Sequence, residues 1–457
     1  MSRNEKKTRH DLILRLVKSL IVLLMTGVFA AGWFGYYAQR IALPYHAKGN
    51  ALILALFLLL FVSFGRVYDA FVISTCRISE RIYSLLLAAL AADGVMFVIT
   101  WLLTRRFPAV QPMVLVLAGQ ALAATVWSYW SHHWYVRTFP PRSTAIVYDV
   151  RPGMEKLLGE YGLDKKYDVR YKLSVQEALD RLELLKRVET VFLSGVHSHD
   201  RNVLLKYCIA HDVEVLVIPR LGDIAMSGAH PIHMFHLPML RLRRYDASPE
   251  YLFFKRAMDI VLSLLALIVL SPVMLAVAAA IKAQDGGPVI YSHIRLTRDG
   301  KPFRIYKFRS MCVDAEKDGV ARLSSGVKDA RITPVGRVIR RLRLDELPQL
   351  VNILKGEMSL VGPRPERPEL AAEYMQTIPE FALRLQCKAG LTGYAQVYGK
   401  YNTSPYDKLQ MDMMYIARPS LIEDIKIILA TVKILFMPES TEGIGEGRST
   451  SEVSGEK

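Results

Sequence analysis

The sequence predicts a membrane protein of mixed α and α/β class. Four long apolar stretches in its first third predict a four-helix transmembrane bundle. Alternating short apolar runs and amphipathic segments then predict a Rossmann-like cytoplasmic α/β domain. An uncharged apolar stretch followed by a basic region predicts a re-entrant helical hairpin and a helix-rich domain at the membrane surface. The predicted segments are 1–140, 141–245, 250–285, 286–438 and a disordered tail at 439–457.

The composition excludes several classes of protein. Hydrophobic residues make up 51% of the 457 residues, which excludes a wholly disordered chain. The formal net charge is +16, which indicates an anionic partner such as a membrane surface, a nucleic acid or a phosphate-bearing substrate. The four cysteines form no CxxC pair, which favours free thiols in a reducing compartment over a disulfide scaffold. They are Cys76, Cys208, Cys312 and Cys387.

The four N-terminal apolar stretches cover residues 12–37, 50–64, 82–104 and 110–131. A helix needs about 20 apolar residues to cross the hydrocarbon core of a bilayer. Basic residues are more frequent before the first stretch, in the second loop and after the fourth stretch than in the other two loops. Since basic loops stay on the cytoplasmic side, both ends of the bundle and everything after it are expected in the cytoplasm.

The next segment has the rhythm of a parallel sheet with crossover helices. Short apolar runs alternate with amphipathic stretches of helical length. A dinucleotide site would need glycines at the first strand-to-helix turn, and residues 148–153 lack that pattern. We therefore expect a regulatory or oligomerising domain rather than a nucleotide-binding one.

Three histidines follow this segment, at positions 230, 233 and 236. Zinc sites use such spacings, but Pro231 disfavours a regular helix and no Cys or acid stands nearby to complete a ligand set. We expect an interfacial or packed loop here.

Residues 260–281 form a stretch of 22 residues without a charge. Basic residues flank it on both sides, which favours both ends on the cytoplasmic side. Ser271 and Pro272 lie near its middle, where proline removes a backbone donor. We therefore predict a helix-break-helix across 250–285 that enters one leaflet and returns. The alternative is a fifth, kinked transmembrane helix, which would place the following residues on the other side.

An acidic pair, Asp345 and Glu346, follows a run of arginines in the last segment. A carboxylate beside Mg²⁺ and arginines suits phosphoryl transfer, because negative charge spreads over the phosphoryl oxygens. A nucleophilic aspartate can also form an acyl phosphate and divide the transfer into two steps. The arginines are Arg331, Arg337, Arg340, Arg341 and Arg343.

Several ordered motifs between residues 255 and 438 resemble the bacterial sugar transferase family, the monotopic phosphoglycosyl transferases. They are Lys-Arg-x-x-Asp at 255–259, Ser-Pro at 271–272, Lys-Phe-Arg-Ser-Met at 307–311, Leu-Asp-Glu-Leu-Pro-Gln-Leu at 344–350, Asn-x-x-x-Gly-x-Met-Ser at 352–359, Val-Gly-Pro-Arg-Pro at 361–365 and Gly-Leu-Thr-Gly at 390–393 followed by Ala-Gln-Val at 395–397. The upstream segments look like those of the longer members that begin capsule, O-antigen or exopolysaccharide synthesis.

This resemblance implies a ping-pong reaction in which a UDP-sugar and undecaprenyl phosphate give undecaprenyl-diphosphate-sugar and UMP. Asp345 matches the family's nucleophile, which also contacts Mg²⁺, and Glu346 matches its partner, acting on the acceptor phosphate. The implied phosphate-binding residues are Arg340 and Arg364, and Lys307, Arg309, Arg384 and Lys388 are candidates for nucleotide or membrane contacts. Arg256 and Asp259, with Ser271 and Pro272 in the hairpin, are implied to have structural roles.

The resemblance also implies the location and the partners. The protein is expected to be a multi-pass protein of the bacterial inner membrane, with its catalytic domain on the cytoplasmic face. Glucose or galactose is favoured as the sugar, membrane lipids are further partners, and a homodimer is expected.

Three alternatives remain open from the residues. The first is a membrane scaffold without activity that recruits a polysaccharide assembly complex. The second is a membrane-tethered nucleic-acid-binding protein, which is disfavoured because no zinc finger, helix-turn-helix or RRM-type motif is present. The third is an enzyme in which the acceptor phosphate attacks the donor directly, without a covalent intermediate.

Overall fold

The computed structural model describes residues 3–43, 45–74, 77–313, 331–399 and 403–435. The chain packs into two compact units. The first comprises Met1–Tyr148 and Met154–Leu216, and the second comprises Asp149–Gly153 and Val217–Lys457. Cys76 and the predicted disordered tail at 439–457 lie outside the described residues.

Four apolar helices begin the first unit. They are α1 (Arg3–Gly32), α2 (Ala47–Val67), α3 (Ile78–Thr104) and α4 (Gln111–Thr138). Each packs against the next, and α1 also contacts α4. Aromatic side chains fill the space between α1 and α2, where the rings of Phe29 and Phe57 stack with centroids 4.2 Å apart. The apolar N-terminal helices that the sequence predicts are therefore confirmed.

An α/β layer follows these helices. Its elements are β1 (Arg142–Tyr148), α5 (Met154–Glu160), β2 (Tyr167–Ser174), α6 (Val175–Asp180), β3 (Thr190–Ser194), α7 (Ser198–Ala210) and β4 (Glu214–Val217). The sheet order is β2-β1-β3-β4, and β1 pairs in parallel with both β2 and β3. All five residues of β3 are buried, as expected for a strand covered on both faces. The prediction of an α/β domain with a parallel sheet is confirmed.

The second unit begins before the predicted boundary at residue 245. Its first elements are α8 (Leu221–Ser227), β5 (His230–Met234) and β6 (Leu237–Arg241). The backbone at Gly228 lies so close to the carbonyl of Ala417 that a Cβ would be 2.2 Å from its oxygen. Arg418 also donates to the carbonyl of Ser227 at 2.7 Å, so these residues pack with the C-terminal part of the chain.

The segment that carries the three histidines is a strand hairpin rather than a packed loop, and the alternative of an interfacial segment stays a prediction. Strands β5 and β6 form an antiparallel hairpin, and the side chains of β6 are exposed throughout. Its turn is made by Phe235 and His236, both with positive φ, which gives the turn the twist that a two-residue hairpin needs.

Helix α9 (Pro249–Asp285) has 37 residues. The helical backbone continues across Ser271 and Pro272, where the sequence predicts a break, and the predicted entry and return through one leaflet stays a prediction. Proline removes one backbone donor, and the Ser271 hydroxyl donates to the carbonyl of Ile268 at 2.8 Å beside it. Among the residues that the structure describes, five helices are long and apolar enough to cross a membrane, namely α1 to α4 and α9.

The remaining elements complete the second unit. They are β7 (Ile290–Leu296), β8 (Pro302–Phe308), α10 (Pro334–Arg341), α11 (Gln349–Lys355), β9 (Ser359–Val361), α12 (Pro368–Thr377), β10 (Gly390–Thr392), α13 (Tyr394–Tyr398), α14 (Pro405–Ala417) and α15 (Leu421–Leu435). Strands β7 and β8 form an antiparallel hairpin, and β9 pairs in parallel with β10.

Both halves of α9 pack against this same unit. Ala266 and Leu267 lie against a core that includes Phe303 and Ile353. Further along the helix, Val277 and Ile281 belong to a second core with Phe308 and Ile339. Between these contacts the side chains of Ile268, Val269 and Leu275 are exposed. The apolar midpoint of α9 is therefore presented outward while its two ends are held by one folded unit.

Candidate active site

Asp345 and Glu346 lie on a short 3-10 turn, Leu344–Glu346, between α10 and α11. The chain reverses at Arg343, which has a φ of 55°. Leu344 and Leu347 pack against the core that contains Phe308 and the C-terminal half of α9. The leucines on either side of the pair therefore anchor the turn that carries both carboxylates.

Glu346 is held by two cations from distant parts of the chain. Its Oε1 accepts hydrogen bonds from Lys307 Nζ on β8 and from Arg364 Nη2 after β9, each at 2.9 Å. Only 12% of the Glu346 side chain is exposed. Burial alone would raise the pKa of Glu346, but the charges and hydrogen bonds of Arg364 and Lys307 hold it well below its usual value. Glu346 is therefore an ionised carboxylate that orients two cations.

Asp345 is in a different state from its neighbour. Burial and the charge of Glu346 raise the pKa of Asp345, although Lys307, Arg340 and Arg364 oppose this shift. The structure shows no hydrogen bond or ion pair of its carboxylate with any described residue. A half-buried carboxylate without a partner among the described residues, in a cationic setting, is available as a nucleophile or as a ligand for a cation.

Three of the predicted binding residues meet at the acidic pair. Lys307 and Arg364 contact Glu346. The positive charge of Arg340, near the end of α10, lowers the pKa of Asp345. Arg364 keeps 41% of its side chain exposed, so its remaining donors can reach a ligand while it binds Glu346.

The other three predicted binding residues have protein partners or lie elsewhere. Arg309 is buried and pairs with Asp285, the last residue of α9. Arg384 is also buried, and it pairs with Asp412 at 2.7 Å. Lys388 converges with Arg256 on Gly356 at the end of α11, where burial and the charge of Arg256 lower the pKa of Lys388.

Arg384 supports the site through the backbone. Its Nη2 donates to the carbonyl of Arg364 at 3.0 Å, and its Nη1 is 3.4 Å from Glu366 Oε1. The pair with Asp412 on α14 thus positions the loop that carries Arg364. Arg384 acts in the described structure as a positioning residue for this loop.

Arg256 and Asp259 connect α9 to the elements beside the acidic pair. Arg256 donates to the carbonyls of Ile353 and Leu354 at 2.7 and 2.8 Å, where it caps the C-terminus of α11. Asp259 Oδ1 accepts from the Ser359 hydroxyl at 3.1 Å and the Leu360 amide at 2.9 Å. These contacts fix α9 against α11 and β9.

Sequence reasoning missed two residues of β7 that belong to this site. Arg295 Nη1 donates to the carbonyl of Pro365 at 2.9 Å and pairs with Glu366. His293 lies beside it, with its Nε2 2.6 Å from Arg295 Nε. Their spacing of two residues could have predicted that both side chains lie on the same face of β7, because alternate residues of a strand share a face.

Comparison with known proteins finds a family match within the second unit. Residues 250–438 match the family described as bacterial sugar transferase. A UDP-N-acetylgalactosamine-undecaprenyl-phosphate N-acetylgalactosaminephosphotransferase of Aeromonas hydrophila is 41% identical over 235 residues, which cover 51% of this chain and 54% of the relative. A UDP-glucose:undecaprenyl-phosphate glucose-1-phosphate transferase of Escherichia coli (strain K12) is 40% identical over 223 residues, or 48% of each chain.

A third relative is covered over most of its length. It is a UDP-glucose:undecaprenyl-phosphate glucose-1-phosphate transferase of Caulobacter vibrioides, 40% identical over 191 residues that cover 41% of this chain and 71% of the relative. The chain spans about half the length of the other two relatives. The family match includes the acidic pair, Lys307 and Arg364. On these matches, the chain belongs to the bacterial sugar transferase family.

Proposed function

We propose that the protein transfers a sugar 1-phosphate from a UDP-sugar to undecaprenyl phosphate, giving undecaprenyl-diphosphate-sugar and UMP. The observation that carries this proposal is the Asp345 carboxylate, which has no partner among the described residues, beside a Glu346 that holds Lys307 and Arg364. Family membership and the names of the relatives support the same reaction. We propose the first membrane step of capsule, exopolysaccharide or O-antigen synthesis as its role.

The proposed mechanism is ping-pong. An oxygen of Asp345 attacks the phosphorus that carries the sugar, and the bond from that phosphorus to the bridging oxygen breaks. UMP leaves with the electron pair of that bond, and the sugar phosphate remains on Asp345 as an acyl phosphate. An oxygen of undecaprenyl phosphate then attacks the same phosphorus and releases the carboxylate. Glu346 acts on the acceptor phosphate by keeping Lys307 and Arg364 oriented toward it.

The residues present fit a Mg²⁺ ion that is bound mainly by substrate. No group of three or more His, Cys, Asp or Glu side chains that could hold a metal occurs among the described residues. Mg²⁺ in phosphoryl transfer sites commonly uses one or two carboxylates together with substrate phosphates and water. Asp345, without a protein partner, fits as the protein ligand. The ion would supply charge neutralisation on the diphosphate.

We further propose that the second unit lies on the cytoplasmic face of the inner membrane, with α9 entering and leaving by the same face. The packing of both halves of α9 on one folded unit supports this arrangement. The outward apolar side chains at its midpoint would contact lipid. We also propose that the protein forms a homodimer.

The test uses the purified full-length protein in lipid nanodiscs with Mg²⁺. UDP-glucose, UDP-galactose, UDP-N-acetylgalactosamine and UDP-N-acetylglucosamine are supplied one at a time without acceptor. Released UMP and the intact mass of the protein are measured. We expect one donor to give UMP and a sugar-phosphate adduct, which undecaprenyl phosphate then discharges. UMP that appears only with acceptor, and without an adduct, would support direct attack. No UMP from any donor, with or without acceptor, would favour the inactive scaffold.

The pH dependence of adduct formation should report on Asp345. Only the ionised carboxylate attacks, and burial beside Glu346 raises its pKa. The rate should therefore fall with decreasing pH at a midpoint above about 3.9, the value for an ordinary aspartate. Arg340→Met removes a cation that lowers this pKa, so it should move the midpoint to still higher pH. Rapid-quench measurement of the adduct between pH 4.5 and 8 gives both midpoints.

The matched control for that experiment is Arg337→Met. Arg337 is exposed on the same helix, and its replacement should leave the midpoint where it is in the wild type. Superimposable profiles for Arg340→Met and the wild type would contradict the assigned effect of Arg340 on Asp345.

A further inference from the structure

His293 lies on β7, between Lys307 on β8 and the loop that carries Arg364. Alternate residues of β7 share a face, and Ile305 and Lys307 of β8 oppose His293 and Tyr291. His293 is therefore a diagonal neighbour of Lys307, the residue that donates to Glu346. On its other side Arg295 donates to the carbonyl of Pro365, next to Arg364. The imidazole is thus next to Lys307 across the strand pair, and Arg295 links it to the loop that carries Arg364.

The contact with Arg295 determines the tautomer of His293. Arg295 Nε is 2.6 Å from His293 Nε2. A guanidinium nitrogen can only donate, so Nε2 must be the unprotonated nitrogen that accepts. Burial and the charges of Arg295, Arg367 and Lys307 lower the pKa of His293 to about 3. The ring is therefore neutral near pH 7, with its one proton on Nδ1.

The Nδ1–H group has no acceptor among the described residues. Nδ1 is buried and has no hydrogen-bond partner in the part of the chain that the structure describes. Buried donors are almost always paired, and one left unpaired in a site is expected to meet its acceptor on a ligand. Since Arg295, Arg367 and Lys307 lie around the ring, that acceptor should be an anionic oxygen.

We infer that His293 is a substrate-binding residue whose Nδ1–H donates to a phosphate oxygen of one of the two substrates. The identity of the substrates rests on the function proposed above. Two sources supply the same chemistry, the diphosphate of the UDP-sugar and the phosphate of undecaprenyl phosphate. A neutral donor would orient this oxygen without adding a charge to a site that already holds several cations.

The test compares His293→Met with His293→Gln. Methionine fills similar space without a donor, whereas the glutamine side chain can accept from Arg295 and donate to the ligand. Three quantities are measured: the affinity for UDP by calorimetry, the dependence of adduct formation on UDP-sugar concentration, and the dependence of adduct discharge on undecaprenyl phosphate concentration. Ser292→Ala, on the opposite face of β7, is the matched control and should resemble the wild type.

We expect His293→Met to weaken apparent binding of one substrate by about 10- to 100-fold, as for loss of a hydrogen bond to a charged group. His293→Gln should restore it to within a few-fold. Weaker UDP binding and slower adduct formation would assign the phosphate to the donor. Normal adduct formation with a raised acceptor requirement would assign it to undecaprenyl phosphate.

The inference is overturned if His293→Met binds both substrates as the wild type does. It is also overturned if His293→Gln is as defective as His293→Met and both unfold at lower temperature, because that pattern indicates packing alone. Failure of the proposed function is separate: the wild type would then release no UMP from any donor. In that case calorimetry with UDP and with undecaprenyl phosphate decides, and equal affinities of wild type and His293→Met for both ligands would overturn the inference.

Discussion

Replacing Asp345 by asparagine should remove the sugar-phosphate adduct and reduce transfer at least about 10⁴-fold. The amide has nearly the same size as the carboxylate but lacks its negative charge and its nucleophilicity. Because the Asp345 carboxylate has no hydrogen bond or ion pair with a described residue, the substitution should leave the Glu346 contacts with Lys307 and Arg364 intact. The measurement is the intact mass of the protein after incubation with the donor, together with released UMP.

Glu346→Gln is the matched control for this substitution. It keeps the Asp345 carboxylate but weakens the hold on Lys307 and Arg364, so the adduct should still form at a reduced rate. Peptide mass spectrometry of the wild-type adduct should locate the phosphate on Asp345. An adduct of wild-type yield in Asp345→Asn, or one located on another residue, would contradict the assignment of the nucleophile.

Replacing Asp412 by alanine should destabilise the structure around α14 by about 3–5 kcal/mol, measured as the free energy of local unfolding. Asp412 and Arg384 have 1% and 5% of their side chains exposed and pair at 2.7 Å, so the substitution leaves a buried guanidinium without its main counter-charge. Arg384 also donates to the carbonyl of Arg364, so transfer should fall as well. Hydrogen exchange of the α14 amides, read by mass spectrometry, measures the first effect.

A double variant separates charge from packing. Arg384→Met with Asp412→Leu replaces the pair by apolar side chains and should recover most of the stability, because no buried charge remains unpaired. It should not recover the transfer rate, since the Arg364 carbonyl still lacks its donor. Glu423→Gln is the control for a partly exposed ion pair and should change stability by less than about 1 kcal/mol. Wild-type protection of α14 in Asp412→Ala would contradict the expected cost.

The amino-acid sequence by itself determined the elements and the acidic pair. Long apolar stretches predicted helices α1 to α4, and alternating short runs predicted the parallel sheet, because both signals are local and periodic. Asp345 and Glu346 were identified from neighbours within a few residues and from the ordered motifs around them. The course of α9 stays a prediction, since the helical backbone continues across Ser271 and Pro272, where local proline chemistry indicated a break.

The tertiary structure decided which cations serve the pair and which serve the fold. Lys307 and Arg309 stand two residues apart, yet one contacts Glu346 and the other Asp285. The partners of Lys255, namely Asp424 and Tyr415, could not be predicted from the sequence, because they lie as far as 169 residues away. Local spacing predicts an element and its exposed face. The partner of a buried charge depends on packing between distant elements, and only the folded chain brings them together.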